Sequence, residues 1–586
     1  MTLDKKMMLK NKAMLLASLI AMGMLTGSCS DENGLGSTAQ PGMAVQFGVT
    51  DVNPMTRTVY EDSVTINWLK GDEIGICSTS DNVVHYIDGN KKQAKYKVDS
   101  VDADGHKVHA SISPAVDGQY LKWGENLNTP ATFYGAYPAE RIVSYPTDIS
   151  GEFQMQYHTS QVCKVVSKEN GVYQTAPDMK NAYMVAKNVL NPTGDHVLLA
   201  FDPIMTTPEI TITAGNYEVG TGIIQPVTVT GVSVIMPSGL KSRTLNYRIP
   251  NVTFNNPAKP PHGGLVPNDV EVGAQSIFVQ IDNDGRKYVD LFEGESITLT
   301  AFLPPINQLK GAKIRVHTSE AVNYVVTLDK EVQNQSKIRV KLPDINPNTP
   351  KSNNWISLLA NQTPLKSMSI PAYVCNGEET EADFQELLQK GVRAFKLTGD
   401  RMVGYIDFSS RYYVKAEICN YFNRFLGENS HELVVLWAED NLQGSNKNGY
   451  KFLDDHLFDW ASLSPNVGSL RGKVVLMQEW KSANNEKTGM YSIQTDRNKS
   501  EKICKFTQYD AKSIENFNVN SPDWTAQFYS DQALNKGIYK KIVDFTEQKG
   551  NTGIITIPNA GATLDDSYGD LLLQSIIDCN FRFKSW

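Results

Sequence analysis

Glu432-Leu433-Val434-Val435-Leu436-Trp437 and, further along, Leu470-Arg471-Gly472-Lys473-Val474-Val475-Leu476-Met477 are the stretches on which the fold turns. Their apolar residues are consecutive rather than alternating, so both faces of each strand must be buried, as in a parallel sheet coated by helices. Helical patterns flank them. One begins near Glu379 and runs through Phe384 to Gln389, ahead of the short strand Val392-Arg393-Ala394-Phe395, and another covers Ala416 to Leu426. Gly537 to Glu547 and Leu571 to Ile577 read as helices around the strand Gly553-Ile554-Ile555-Thr556-Ile557. At least five strand–helix units after residue 350 favour a closed α/β barrel over an open sheet.

Before residue 345 the pattern differs. Val64-Thr65-Ile66-Asn67-Trp68, Ile210-Thr211-Ile212-Thr213 and Ser296-Ile297-Thr298-Leu299 alternate as half-buried strands do. Asp104-Gly105, Asp117-Gly118 and Asp284-Gly285 read as turns between them. The region is all-β and long enough for two sandwiches in tandem, at 46–185 and 186–345. The acidic runs Asp102-Ala103-Asp104-Gly105 and Asp282-Asn283-Asp284-Gly285 suggest calcium loops. The second, however, has Lys287 where an EF-hand loop requires glycine, and flanking helices are missing, so both are read as turns. No metal and no cofactor is expected.

The N-terminus is basic at Lys5, Lys6, Lys10 and Lys12, then apolar from Ala13 to Leu25, which is too short to span a bilayer as a permanent helix. Leu25-Thr26-Gly27-Ser28-Cys29 resembles a lipobox, which implies cleavage after residue 28 and lipidation of Cys29. Ser30-Asp31-Glu32 resembles the acidic tag of Bacteroidetes-type lipoproteins delivered to the outer face of the outer membrane, with a periplasm-facing anchor as the rival. Residues 29–45, rich in Gly, Ser and Pro, form a flexible tether. The partner implied by the anchor is outer-membrane lipid. A net charge of -8 argues against nucleic-acid binding, which needs a basic footprint. Cys77, Cys163, Cys375, Cys419, Cys504 and Cys579 are too scattered for a disulfide framework and read as core thiols, with a pair among the last four left open.

Within the β region, Thr56-Arg57, Trp68 with Gly71-Asp72-Glu73-Ile74-Gly75-Ile76, Phe133-Tyr134-Gly135-Ala136-Tyr137-Pro138, Asp178-Met179, Met184-Val185-Ala186 and Leu199-Ala200-Phe201-Asp202-Pro203 occur in that order. The series resembles the fimbrillin-like (Mfa-like) proteins of Bacteroidetes. That implies two transthyretin-like sandwiches, the second opening at Leu199, and a role as pilus subunit, tip or anchor adhesin. A further domain after residue 345 speaks against a repeating shaft subunit. Trp68 and the aromatic run at 133–137 are read as packing residues.

From Asn354-Trp355-Ile356-Ser357-Leu358-Leu359, through Ser369-Ile370-Pro371, Gly391-Val392-Arg393-Ala394-Phe395 and the two strands quoted first, to Ile576-Ile577-Asp578-Cys579-Asn580, the chain resembles the X-type catalytic domain of bacterial phosphatidylinositol-specific phospholipase C. This implies a distorted TIM barrel over 350–586. The chemistry does not follow. The family's general-base histidine position holds Val374, its aspartate partner Cys375, a second-strand carboxylate Lys396 and the phosphate-binding arginine Thr398. Valine cannot exchange a proton, and threonine offers no charged fork. The two histidines after residue 350, His431 and His456, lie outside the matched catalytic motifs.

The reading is therefore a multidomain chain whose barrel is non-catalytic, serving surface binding or cell adhesion. A phosphoric diester hydrolase using unfamiliar residues is the alternative, and an accessory or tip component of a fimbria, with fimbrial proteins as partners, is a third. Candidate binding residues are Tyr373, Asn376, Lys396, Tyr405, Asp407, Glu439 and Asp440, at or near expected strand ends of the barrel mouth. Tyr373, Tyr405, Tyr412 and Tyr413 would suit a glycan; an inositol phosphate is the other ligand considered. Cys29→Ala should abolish lipid labelling and shift the protein from the detergent phase to the aqueous phase; a wild type that takes up no label would overturn the lipobox reading.

Overall fold

The computed structural model describes residues 38–583 apart from 52–67, 86–91, 105–106, 195, 216–225, 250–263, 267–268, 306–309, 320–323, 329–336, 346–352, 376, 399–402, 406–411, 415, 439–452, 454–455, 459, 461–463, 482–486, 493–501, 521–523, 546–550, 559 and 561–567. Cys29, most of the tether and the Thr56-Arg57 motif lie outside the described residues. None of the described helices is long and apolar enough to cross a membrane.

The first β unit is a seven-stranded barrel rather than a pair of facing sheets. Gln46–Asp51 pairs in parallel with His196–Pro203 and antiparallel with Lys107–Pro114, so the sheet closes on itself. Closure removes edges that would otherwise need covering. The boundary drawn at 185/186 runs through Met184–Leu190, and Leu199–Pro203, expected to open the second domain, completes the first barrel instead. Trp68, 2% exposed, packs edge-on against Tyr137 and Phe201 at 5.5 and 5.3 Å between centroids, as a core residue.

The second unit is a ten-stranded sheet built mainly from later segments, but it takes in Ser160–Glu169 and Val172–Pro177 from the earlier part of the chain. Its longest strands, Val227–Leu240 and Val270–Asp282, pair antiparallel with a bulge between Met236 and Ser238. One continuous apolar core runs through both β units. The acidic stretch at 282–285 is a tight turn: the Gly285 amide donates to Asp282 at 2.9 Å, and Asp284 and Gly285 both have positive φ.

The third unit is a closed eight-stranded barrel: β1 (Ile370–Cys375), β2 (Ala394–Leu397), β3 (Leu433–Ala438), β4 (Lys473–Lys481), β5 (Lys487–Ser492), β6 (Lys502–Gln508), β7 (Thr525–Phe528) and β8 (Ile554–Thr556). Pairing is parallel throughout except that β5 runs antiparallel to both β4 and β6. A strand meander there takes the place of a helical crossover, so the uniform strand–helix repeat expected from the sequence is interrupted. The main helices are α1 (Glu381–Lys390), α2 (Ala416–Glu428), α3 (Asn535–Val543) and α4 (Gly569–Arg582). α1 starts on a Thr380–Asp383 capping box and ends at Gly391, whose φ of 106° suits glycine.

At the lower, N-terminal end of the barrel two arginines tie its parts together. Arg393 forms a buried ion pair with Glu432 at 2.8 Å and donates to the carbonyls of Leu388, Val392 and Asn353. Arg471 donates to the carbonyls of Ile356, Leu359 and His431 and to the Asn361 side chain. The Gly-Val-Arg and Leu-Arg-Gly stretches therefore serve the scaffold.

Helix α4 is buried along its whole length except at Asn580, packed between barrel and β-sheet. Asp578 meets His317 Nδ1, and His317 Nε2 lies 2.7 Å from Ser233 Oγ on the facing strands. Thr159 donates to the Arg582 carbonyl at 3.0 Å, and Arg582 donates to the carbonyls of Ile542 and Phe545. The sequence pattern suggested two pieces joined near 345–350; α4 instead binds them into one body. Burial holds the His317 imidazole below its ordinary pKa, the Asp578 carboxylate pulls it upward and Arg315 downward. The folded state thus resists a proton that the unfolded chain accepts, so stability should fall as pH drops through the ordinary histidine range near ~6.5. His317→Gln should flatten that part of a pH series of melting curves between about pH 8 and about pH 5; identical pH dependence in wild type and variant would overturn this role.

Candidate functional site

In a parallel ladder, residues level with one another share a face. Val374 is level with Lys396, Lys396 with Trp437, and Trp437 with Met477, and Glu479 follows two residues later on the same side. These side chains point toward the barrel axis. The Lys396 ammonium reaches across to the Phe528 ring of β7, 4.5 Å from its centroid, which only an interior residue could do. Its Nζ lies 3.1 Å from Glu479 Oε1, and the Trp437 indole donates to that same oxygen at 3.2 Å. Lys396 is 2% exposed and Glu479 1%. Phe506 stacks on Phe528 at 6.3 Å, adding apolar bulk. Among the described residues, the upper interior places Val374, Trp437, Phe506 and Phe528 around the Lys396–Glu479 pair.

The alternate residues face outward. Phe395 packs on Phe384 of α1 and Phe422 of α2, at 5.6 and 5.1 Å. Cys375 is buried on this same helix-facing side, and burial pushes its thiol pKa well above the ordinary value, so it is a poor thiolate. Tyr373 also turns outward and is half-buried, its phenol raised by burial and by Glu379. The alternation of the strand therefore separates two of the proposed binding residues, with Lys396 inside and Tyr373 outside. Thr398 bonds through both its hydroxyl and its backbone amide to the Cys375 carbonyl, stitching the ends of β1 and β2.

Asn376, Asp407, Glu439 and Asp440 lie outside the described residues. Tyr405 belongs to a two-stranded sheet with Tyr412 and Tyr413, Val403–Tyr405 against Tyr412–Val414, whose side chains are likewise outside the described residues. His456 Nδ1 contacts the Gly472 carbonyl at 2.8 Å, and the His431 carbonyl is held by Arg471. Both histidines therefore sit at the start of strands, opposite the mouth.

Sequence reasoning passed over two groups. Glu479 ends a long strand and carries no motif, so only the pairing register reveals it as the partner of Lys396. Ser233, His317 and Asp578 form a hydrogen-bonded row in the order of a hydrolase triad, yet they are 0%, 0% and 4% exposed at the helix–sheet junction. A nucleophile needs room for substrate beside it, and this row is enclosed by Phe278, Phe581 and Arg582. It acts as a clamp.

No protein-family model and no curated protein matches the chain. Among solved structures, a phosphatidylinositol-specific phospholipase C variant from Staphylococcus aureus is 15% identical, covering 40% of this chain and 98% of its own, with a TM-score of 0.30. The corresponding Listeria monocytogenes enzyme is 15% identical over 39% of this chain and 98% of its own, at 0.25. A Bacteroides uniformis protein provisionally described as a cell adhesion protein is 14% identical over 52% of this chain and 94% of its own, at 0.29. Scores this low assign neither fold nor activity.

The Lys396–Glu479 pair allows a direct test. Lys396→Met alone strands a buried carboxylate and should cost about 3–5 kcal/mol, whereas adding Glu479→Leu should recover most of that loss. Urea midpoints of the two variants measure this; equal losses in both would place the two residues in independent environments.

Proposed function

We propose that this protein is a lipid-anchored surface protein that binds or adheres, and that its barrel, of phospholipase C-like distorted TIM type, is not catalytic. The observation that supports this most is the inner face of β1 and β2. Where phosphodiester cleavage by attack of a neighbouring hydroxyl needs a base, an acid and a fixed cation, these strands present Val374 and a lysine already neutralised by Glu479. The lipobox-like stretch ending at Cys29 and the fimbrillin-like series of motifs support an exported role with the β units projecting the barrel outward. Attachment would be through lipid on Cys29 at the outer membrane, facing the exterior. Fimbrial proteins and surface glycans are the partner classes that fit this reading.

A second reading has one observation in its favour: Lys396 and Glu479 are an acid–base couple inside a barrel. Near-complete burial argues against it, because neither group can meet a substrate without displacing Trp437 or Phe528.

Two measurements test the proposal. Beads coated with residues 29–586 should be retained on epithelial monolayers or immobilised mucin glycans above beads coated with an inert protein; no retention on either would overturn the adhesive reading. The same material should release no inositol phosphate from phosphatidylinositol vesicles, with or without calcium, since each missing acid or base group withholds roughly 10²–10⁴-fold. Sustained turnover abolished by Glu479→Gln would establish the enzyme instead.

A further inference from the structure

The sheet of the second β unit has two unlike faces. On one, Val232, Val234, Ile277, Val279, Ile314 and Val316 join the core shared by the β units. The alternate residues of the same three strands, Ser233, Ser276, Phe278, Gln280, Arg315 and His317, face the eight-stranded barrel. The register agrees: Ser233 is level with Phe278 and Arg315, and Gly231 with Gln280 and His317. Such alternation belongs to an antiparallel sheet with one face in the core and the other in water. Here the barrel covers the polar face.

What meets that face is polar as well. The apolar residues of α4, among them Leu572, Leu573, Ile576 and Ile577, belong to the barrel's own core. From the sheet, Ile235 and Phe278 alone among the described buried residues join that core. The links across the junction are the Asp578–His317 contact, the Thr159 hydroxyl on the Arg582 carbonyl at 3.0 Å, Gln280 Nε2 on the Val543 carbonyl at 3.3 Å, and Arg315 on Asn353 Oδ1 at 3.3 Å. Satisfaction is incomplete. Arg315 Nε and Nη1, Arg582 Nε and Ser276 Oγ have no hydrogen-bond partner among the described residues. Burial pushes the Arg315 pKa down to about 10. A contact of this kind loses in desolvation much of what it gains in pairing, and polar interfaces between domains are the ones that part. The chain passes from sheet to barrel once, after Ile345.

From this we infer that the barrel undocks from the sheet as an intact unit, in a reversible step separate from unfolding. The arrangement described above is the closed member of a two-state pair. The polar links fix the closed geometry, and the row from Ser233 to Asp578 is its latch. A small slip would leave those groups in an apolar setting, whereas full separation gives them to water. Each side keeps its own apolar core when it leaves, apart from Ile235 and Phe278. The open state presents Arg315 and His317 on one surface and Asp578 and Arg582 on the other. The inference stands whether or not the protein is an adhesin.

Thiol labelling of residues 29–586 without denaturant, read peptide by peptide in a mass spectrometer, tests this. Ser233→Cys sets a thiol in the closed junction, and Ser276→Cys sets another there without losing a hydrogen bond. Val234→Cys, one residue along the first strand, sets one in the opposite core. The first two should react at least about tenfold faster than the third, and than native Cys163 and Cys419, which lie in the two cores and give the same comparison within every variant. Thr159→Ala removes one link across the junction, so it should speed the first two several-fold and leave the third unchanged. Equal rates at 233 and 234 would mean that the junction opens only when the sheet itself does, and would overturn the inference. Fast reaction in Ser276→Cys alone would show entry through a standing gap, and in Ser233→Cys alone an opening made by the lost bond to His317; either result rejects undocking. So does a Thr159→Ala effect that Val234→Cys shares in equal measure.

Discussion

A helix with almost none of its surface in water must find apolar neighbours on every side, and α4 is such a helix. Leu571, Leu572, Leu573, Ile576 and Ile577 form much of its apolar surface, while Asp578 and Arg582 carry the polar links to the sheet and to α3. Apolar burial is worth about 25 cal/mol per Å² and does not depend on direction. Orientation therefore has to come from the polar contacts. The row from Ser233 through His317 to Asp578, with the Thr159 hydroxyl on the Arg582 carbonyl, fixes which way the barrel faces. Neither the barrel nor the sheet can shift without stranding one of these groups in an apolar setting.

The same economy appears inside the barrel. Its lower end is held by Arg393, Glu432 and Arg471, whose donors are spent on carbonyls and side chains of neighbouring segments. Its upper interior has one ion pair wrapped in aromatic rings. In both places the charged groups are paired and bonded to neighbouring segments.

Much of the architecture was readable in the sequence because burial leaves a periodic trace. The double-faced apolar runs at 433–437 and 473–477 became adjacent parallel strands, and helices formed close to where the apolar spacing put them, although α4 extends beyond both ends of the expected Leu571–Ile577. Three features left no such trace. Closure of the first β unit depends on the long-range pairing of Gln46–Asp51 with His196–Pro203, which no local pattern encodes. The reversed β5 is too short and polar in its turns to reveal its direction. Glu479 is one acid among many until register sets it opposite Lys396. At the site, the identity of the residues at 374 and 396 was legible, but whether each faced the axis or the helices was not. The alternation that turns Tyr373 outward becomes certain only when Phe395 is seen against Phe384.

The six cysteines described, from Cys77 to Cys579, are all buried, and none of them is joined in a disulfide. Once the chain is folded they are out of reach of oxidants, and those whose thiol is raised by burial are poor thiolates. The hazard lies earlier. A chain exported as proposed would emerge unfolded into an oxidising compartment with every thiol uncovered, and the collapse of its two cores would be in a race with disulfide formation. Any cross-link made first would be non-native, because the finished interior has no place for one. What protects these residues at equilibrium thus makes the order of events during secretion decisive: the yield of native protein would be set by the kinetics of burial rather than by the stability of the final state.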